Sequence, residues 1–291
     1  MAEIPTARHK FTDKAQHVFL HGRESASGVT TALACHHGQL QVIDYKDAIG
    51  IGAVSGHSVF RGFGRRDSLA TTAGGDDLWE GTAVTLSYPN QSTGEQVVIV
   101  STSANDAAAG SGVQQIEMHY LDNTGVALIE TITLNGTTPV NSVATNVRFV
   151  QFIHSVRTGS FTASAAGTIT VYKVATPATV YNTILAGENI SLSSHRMVPL
   201  GKTFYMNYVS TSGTSNKPLS VRITATCDDD GVLLPGIFLF NEIFELQDSV
   251  GTSSFPVPRR FPALSIIKGK VISSIAGGSA AVSYGGWLEA T

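Results

Sequence analysis

Apolar and polar residues alternate in short runs along most of the chain, and alternation of that length predicts β-strands rather than helices. The pattern is clearest over residues 113–134. Ile116, Met118 and Tyr120 fall on one face there, and Glu117 and His119 on the other. Asp122-Asn-Thr-Gly supplies a turn in which Gly125 is free to take positive φ, and the return run ends at Asn135-Gly136, a second turn. This segment reads as a hairpin. Comparable runs predict strands over 39–44, 82–88, 95–101, 148–156, 167–174, 203–211, 219–226, 236–246, 266–273 and 280–288. In 219–226, Leu219, Val221, Ile223 and Ala225 alternate with Ser220, Arg222, Thr224 and Thr226, which predicts one buried face and one wet face. Residues 49–64 are rich in glycine and suit a bent or bulged strand. Phe255-Pro-Val-Pro-Arg-Arg-Phe-Pro must lie on an edge or in a loop, because proline cannot donate to a central ladder. No segment of 12 or more residues carries a 3.6-residue period.

Strands at regular short spacing with turn residues between them predict an all-β chain built from sandwiches. The expected layout is two tandem antiparallel β-sandwich domains of jelly-roll type behind an N-terminal arm. Residues 1–36 form the arm, 37–176 the first sandwich and 177–291 the second, joined at Thr176-Pro-Ala-Thr. The arm is polar and of mixed charge, with His9, His17 and His21. It reads either as a tail or as a segment ordered by neighbouring subunits.

Composition supports strands over helices. Of 291 residues only 14% are charged, against about 25% in an average soluble domain, and glycine contributes 29. Helical surfaces would need more Glu, Lys and Arg than this. The net charge of −3 gives no basic excess, and Arg61, Arg65 and Arg66 form only a short group, so nucleic acid is not an expected partner. No apolar run approaches the roughly 20 residues of a membrane span, and the opening residues lack the pattern of an export leader, so no membrane partner is expected. Two cysteines far apart, Cys35 and Cys227, do not make a disulfide framework.

The search for chemistry returns little. Gly201-Lys202-Thr203 lacks the glycine that a phosphate loop places five positions before its Gly-Lys pair, since position 196 is Arg, and a strand follows it. No Gly-x-Ser-x-Gly elbow occurs. His36 and His37, beside Cys35, point to opposite faces of a strand and cannot share an ion. Asp228, Asp229 and Asp230 are contiguous rather than spaced as calcium ligands, and with Gly231 they read as a turn. Asp76, Asp77, Trp79 and Glu80 form an acidic cluster around an aromatic ring. It reads as a packed sandwich end or, alternatively, as a sugar platform. As a carboxylate pair for glycoside hydrolysis, these acids sit too close in sequence to flank a substrate. No catalytic residue, metal ligand or cofactor is expected. Trp79, Asp76, Asp77 and Trp287 are the residues expected to contact a glycan or a neighbouring subunit.

Several motifs together resemble a family of virion proteins of tailed bacteriophages. They are Gly75-Asp-Asp-Leu-Trp-Glu-Gly, Ser101-Thr-Ser-Ala-Asn-Asp-Ala-Ala-Ala-Gly-Ser-Gly, Leu121-Asp-Asn-Thr-Gly and Glu130-Thr-Ile-Thr-Leu-Asn-Gly-Thr-Thr-Pro-Val. In the second half they are Gly187-Glu-Asn, Val198-Pro-Leu-Gly-Lys-Thr, the proline-rich segment from Phe255 and Gly285-Gly-Trp-Leu-Glu. The similarity spans roughly residues 57–289. Pro199-Leu200 departs from the Pro-Ala more usual in such proteins, and the arm matches nothing in the family. The motifs build turns, so they speak to fold more than to task. The resemblance implies a non-enzymatic structural component of the virion, on the tail, at the head-to-tail junction or decorating the capsid. It implies a homo-oligomer, expected to be a trimer, with other phage head or tail proteins as partners. A glycan-binding module for host attachment is the alternative.

Overall fold

The computed structural model describes residues 20–23, 30–36, 39–42, 45–215 and 218–291. The chain divides into two compact units, Met1–Ser55 and Gly56–Thr291. In the first, β1 (Leu20–Arg23), β2 (Thr30–His36) and β3 (Gln39–Val42) form an antiparallel meander. A single helical turn, α1 (Tyr45–Gly50), follows. The expected arm therefore contains paired strands, and the strand expected at 39–44 belongs with them rather than with a sandwich. His9 and His17 lie outside the described residues, as does His37; Cys35 and His36 are in β2.

The second unit holds every remaining strand. The first group is β4 (His57–Asp67), β5 (Asp76–Asp77), β6 (Val97–Ser101), β7 (Val113–Asp122), β8 (Ala127–Thr133), β9 (Val140–Asn141), β10 (Val147–Thr158), β11 (Ile169–Lys173) and β12 (Thr176–Ile184). Then come β13 (Arg196–Met197), β14 (Lys202–Thr214), β15 (Leu219–Ala225), β16 (Leu239–Leu246), β17 (Ser249–Phe261), β18 (Ile266–Ser273) and β19 (Ser279–Ala290). Every pairing among them is antiparallel.

These strands assort into four small sheets around two main cores. The sheets β10-β7-β8 and β12-β11-β6-β9 enclose one core, in which Ile116, Met118 and Ile153 meet Ile99, Val171 and Ile184. The sheets β17-β14-β19-β4 and β13-β18-β15-β16 enclose the other, in which Phe204, Val282 and Tyr284 meet Val221, Ile223 and Val271. Fully burying one such side chain is worth about 1.5–3 kcal/mol, so each core is a substantial source of stability.

The two bodies are not consecutive halves of the sequence. Strand β4 pairs along its whole length with β19, and β5 pairs with β18, so residues 57–77 complete the C-terminal body. The join expected at Thr176 falls inside the β11–β12 hairpin, where Ala175 takes a φ of 59°. Pro177 is tolerated there because β12 is an edge strand. Two further expectations change. Residues 82–88 form no strand, because their amides and carbonyls serve the side chains of a buried polar cluster. On β15 the polar side of the alternation is covered too: Ser220 and Thr224 are buried, since the strand is central, with β16 and β18 on either side. The proline-rich segment does lie on an edge strand. Between the pairs Met206↔Arg259 and Tyr208↔Ser254, β17 bulges, and Phe255, Pro256, Val257 and Pro258 need no ladder partner there.

Candidate functional site

The acidic Trp motif is a structural clasp. Asp76 accepts from Arg66 Nε at 3.0 Å and from the amide of Ala70, while Arg66 also donates to the carbonyls of Gly81 and Ala83. The Trp79 indole donates to Ala83 O, and Gly81 lies flat against the ring, where a Cβ would come within 1.7 Å of it. Trp79 is 1% exposed, and Asp76 and Asp77 are fully buried. Trp287 is 8% exposed and stacks on Tyr205 at 5.7 Å. The four residues expected to touch a glycan or a neighbouring subunit are thus committed to the chain's own interior.

Asp77 is the centre of a buried polar cluster beside β18. Its carboxylate lies 3.0 Å from Lys268 Nζ and 3.3 Å from His195 Nε2, and it accepts from the amide of Leu86. Burial pushes this carboxyl up, but His195, Lys268 and the Leu86 amide outweigh it and hold Asp77 well below the usual carboxylate range. Burial pushes His195 down, against the pull of Asp77. Ser193 Oγ sits 3.3 Å from His195 Nδ1, which completes the order hydroxyl, imidazole, carboxylate. The same order activates a nucleophile in hydrolases. Here all three groups are buried and no substrate can reach them as they stand.

The neighbouring Arg196 is equally internal. It donates to the carbonyls of Arg61, Gln151, Ser193 and His195, and its guanidinium lies 5.1 Å from the centre of the Phe152 ring. Gln151 exchanges two hydrogen bonds with the backbone of Met197, tying β10 to β13.

Two other motif residues are also scaffolding. Asp106, fully buried, accepts from Ser101 Oγ and from the amides of Val113, Ala166 and Gly167, so the Ser101–Gly112 loop is wound around one carboxylate. Asp228 accepts from the amide of Val232, and Gly231 takes a φ of 77°; this is the expected turn. Cys227 is a free, buried thiol, which burial pushes up to about 11.

The accessible chemistry lies elsewhere, on the wet face of the β7–β10 pair. Alternation along β7 turns Glu117 and His119 outward. Across the ladder, His154 stands opposite Glu117, and Phe152 opposite His119. A register shift at Gln151 resets the parity of β10, which brings Phe152 and His154 onto this face. The Nε2 atoms of His119 and His154 are 3.2 Å apart, and Glu117 Oε2 lies 3.6 Å from the first and 3.4 Å from the second. Among the described residues, this is the one group of three His, Cys, Asp or Glu side chains whose donor atoms converge closely enough to share a metal ion. His119 stacks on Phe152 with ring centres 4.1 Å apart. Burial, and then the nearby His154, push His119 below its ordinary pKa.

His119 also lines a groove of about 900 Å³. It is lined by β4, through Val59 and Phe63, by β8, through Leu128 and Ile129, and by Ile190. Both are edge strands of their sheets. These side chains are markedly exposed for their type, Val59 at 46% and Ile129 at 58%. Neither the groove nor the Glu117-His119-His154 group was apparent in the sequence. The spacing of Glu117 and His119 on a predicted strand was a usable signal, but their partner strand was not identifiable.

No family model matches the chain, and no curated protein matches it. Among solved structures, one of the infectious bursal disease virus Gt strain aligns at 8% identity over 86% of this chain and 83% of that one, with a TM-score of 0.18. A structure of the Gx strain of the same virus aligns at 9% identity over 80% and 81%, with a TM-score of 0.11. The VP2 subviral particle of infectious bursal disease virus aligns at 10% identity over 82% of each chain, with a TM-score of 0.09.

Proposed function

We propose that this chain is a structural protein of a bacteriophage virion. It works without catalysis by associating with further copies of itself, on the tail, at the head-to-tail junction or on the capsid surface. The observation that carries the assembly part is the groove between β4 and β8. Monomeric proteins rarely leave several large apolar side chains exposed in one place, and edge strands left open are ordinarily guarded by charge or proline. Here Val59, Phe63, Leu128, Ile129 and Ile190 share one groove whose two walls are both edge strands of their sheets. The occupant that fits is an extended segment from a second copy of this chain. It would add to an edge by main-chain hydrogen bonds while setting apolar side chains between the walls. The virion part rests on the run of turn-building motifs from Gly75 to Gly285.

The glycan-binding alternative is weakened, since its two tryptophans, Trp79 and Trp287, are both buried. A low-resolution map of intact particles, with this chain carrying a bulky tag at Thr291, tests the reading. Extra density repeated by symmetry on the head or tail is expected. Particles complete without the chain would overturn it.

A further inference from the structure

We propose that Glu117, His119 and His154 form a binding site for a divalent transition-metal ion of the zinc class, on the outer face of β7 and β10. The argument is geometric and independent of the assembly reading. Zinc binds imidazole nitrogen at about 2.0–2.1 Å and carboxylate oxygen at about 2.0–2.2 Å, so two ligand atoms of one tetrahedral ion lie about 3.3–3.4 Å apart. The three edges of the triangle here are 3.2, 3.4 and 3.6 Å. The circle through its corners has a radius of about 2.0 Å, so an ion about 2.1 Å from each atom would sit about 0.7 Å out of their plane. That is the shape of one face of a tetrahedron. Two imidazoles and one carboxylate, with a remaining position open, are a ligand set that zinc accepts, and iron(II) and its neighbours also use it.

The surroundings support this geometry. His154 Nδ1 lies 3.3 Å from the carbonyl of Ser155, to which it can only donate; Nε2 is then the nitrogen with the free lone pair. The stack on Phe152 fixes the plane of the His119 ring. All three ligands come from paired strands, with Glu117 and His154 directly opposite each other, so the backbone presets their spacing. The side chains are between a quarter and a third exposed, so an ion can reach them from solvent. Four backbone carbonyls already hold the guanidinium of Arg196, which lies over the Phe152 ring beside the site.

Without an ion, the short contact between the two imidazoles is an N–H···N hydrogen bond from His119 to His154, and the two accounts separate cleanly by titration. The full-length chain, free of affinity tags and treated with chelator, is titrated with Zn²⁺ by calorimetry beside Glu117→Gln, His119→Asn and His154→Asn. Circular dichroism confirms that each variant is folded. Histidines elsewhere in the chain contribute equally to all four proteins and cancel in the comparison. The expected result is one Zn²⁺ per chain that each substitution weakens by at least about 100-fold, since losing even an outer hydrogen-bond partner of a ligand costs 10–100-fold. If the wild-type chain binds no Zn²⁺, or if the variants bind it as the wild type does, the site does not exist.

Discussion

Replacing Lys268 with Met would show how much the buried charge cluster contributes to folding. Lys268 is buried, its Nζ stands 3.0 Å from Asp77 Oδ1, and Asp77 is fully buried. With the ammonium gone, the carboxylate keeps only the Leu86 amide and His195 as partners. Removing one member of a buried ion pair typically costs about 3–5 kcal/mol, because the other charge is left uncompensated. Neutralising both should cost much less than the two single losses together. Asn at position 77 still accepts from Leu86, and Met fills the volume of the lysine stem. The assay is urea unfolding of the wild type, Lys268→Met, Asp77→Asn and the double variant, read as a change in midpoint at constant m. The sign of the pH dependence follows from Asp77. Its pKa is depressed in the fold, so its contribution is present above its ordinary value of 3.8 and is lost as pH falls below it. In Lys268→Met that acid-induced loss should shrink. A cost under about 1 kcal/mol for Lys268→Met, or strict additivity in the double variant, would refute the reasoning.

Glu80 titrates the other way. Burial raises it to about 7, and its Oε2 has no hydrogen-bond partner among the described residues, with Arg65 4.0 Å from its other oxygen. Its cost to stability is absent below its ordinary 4.5, builds up as pH rises from there, and is complete above about 7. Glu80→Gln should therefore raise the thermal midpoint in mildly alkaline buffer, by the equivalent of about 1–2 kcal/mol once solvent screening is allowed for, and the gain should shrink through mild acid and vanish at about pH 4. Asp106→Ala should be among the most damaging substitutions, since it strips the acceptor from three amides and a hydroxyl. At about 1–3 kcal/mol for each buried donor left unpaired, chemical denaturation should show a loss of several kcal/mol, and a loss below about 1 kcal/mol would contradict the role given to it.

The sequence carried the strands better than their partners. The Ile116, Met118, Tyr120 alternation and the Gly125 turn appear as expected, with Gly125 at a φ of 93°, because a hairpin is specified by neighbours in the chain. The pairing of β4 with β19 joins residues more than two hundred positions apart, and nothing local encodes it. The same limit hid the site. Register shifts at Val147/Phe149 and Val150/Phe152 break the alternation of β10, so His154 could not be assigned to the face of Glu117 and His119 from periodicity alone. The acidic Trp motif was legible as a cluster, and of its two readings the packed one agrees with its burial. What sequence could not supply were its distant partners, Lys268 and His195.

Self-association through the groove is the central claim, and sedimentation velocity of the full-length chain tests it most directly when run beside Ile129→Glu. Ile129 is exposed on edge strand β8, so a carboxylate there leaves the fold intact while placing a charge where a second copy would lie. The account predicts an oligomer for the wild type and a shift to monomer for the variant. A wild-type chain that sediments as a monomer at every concentration, or an oligomer that the charge leaves unchanged, would contradict it.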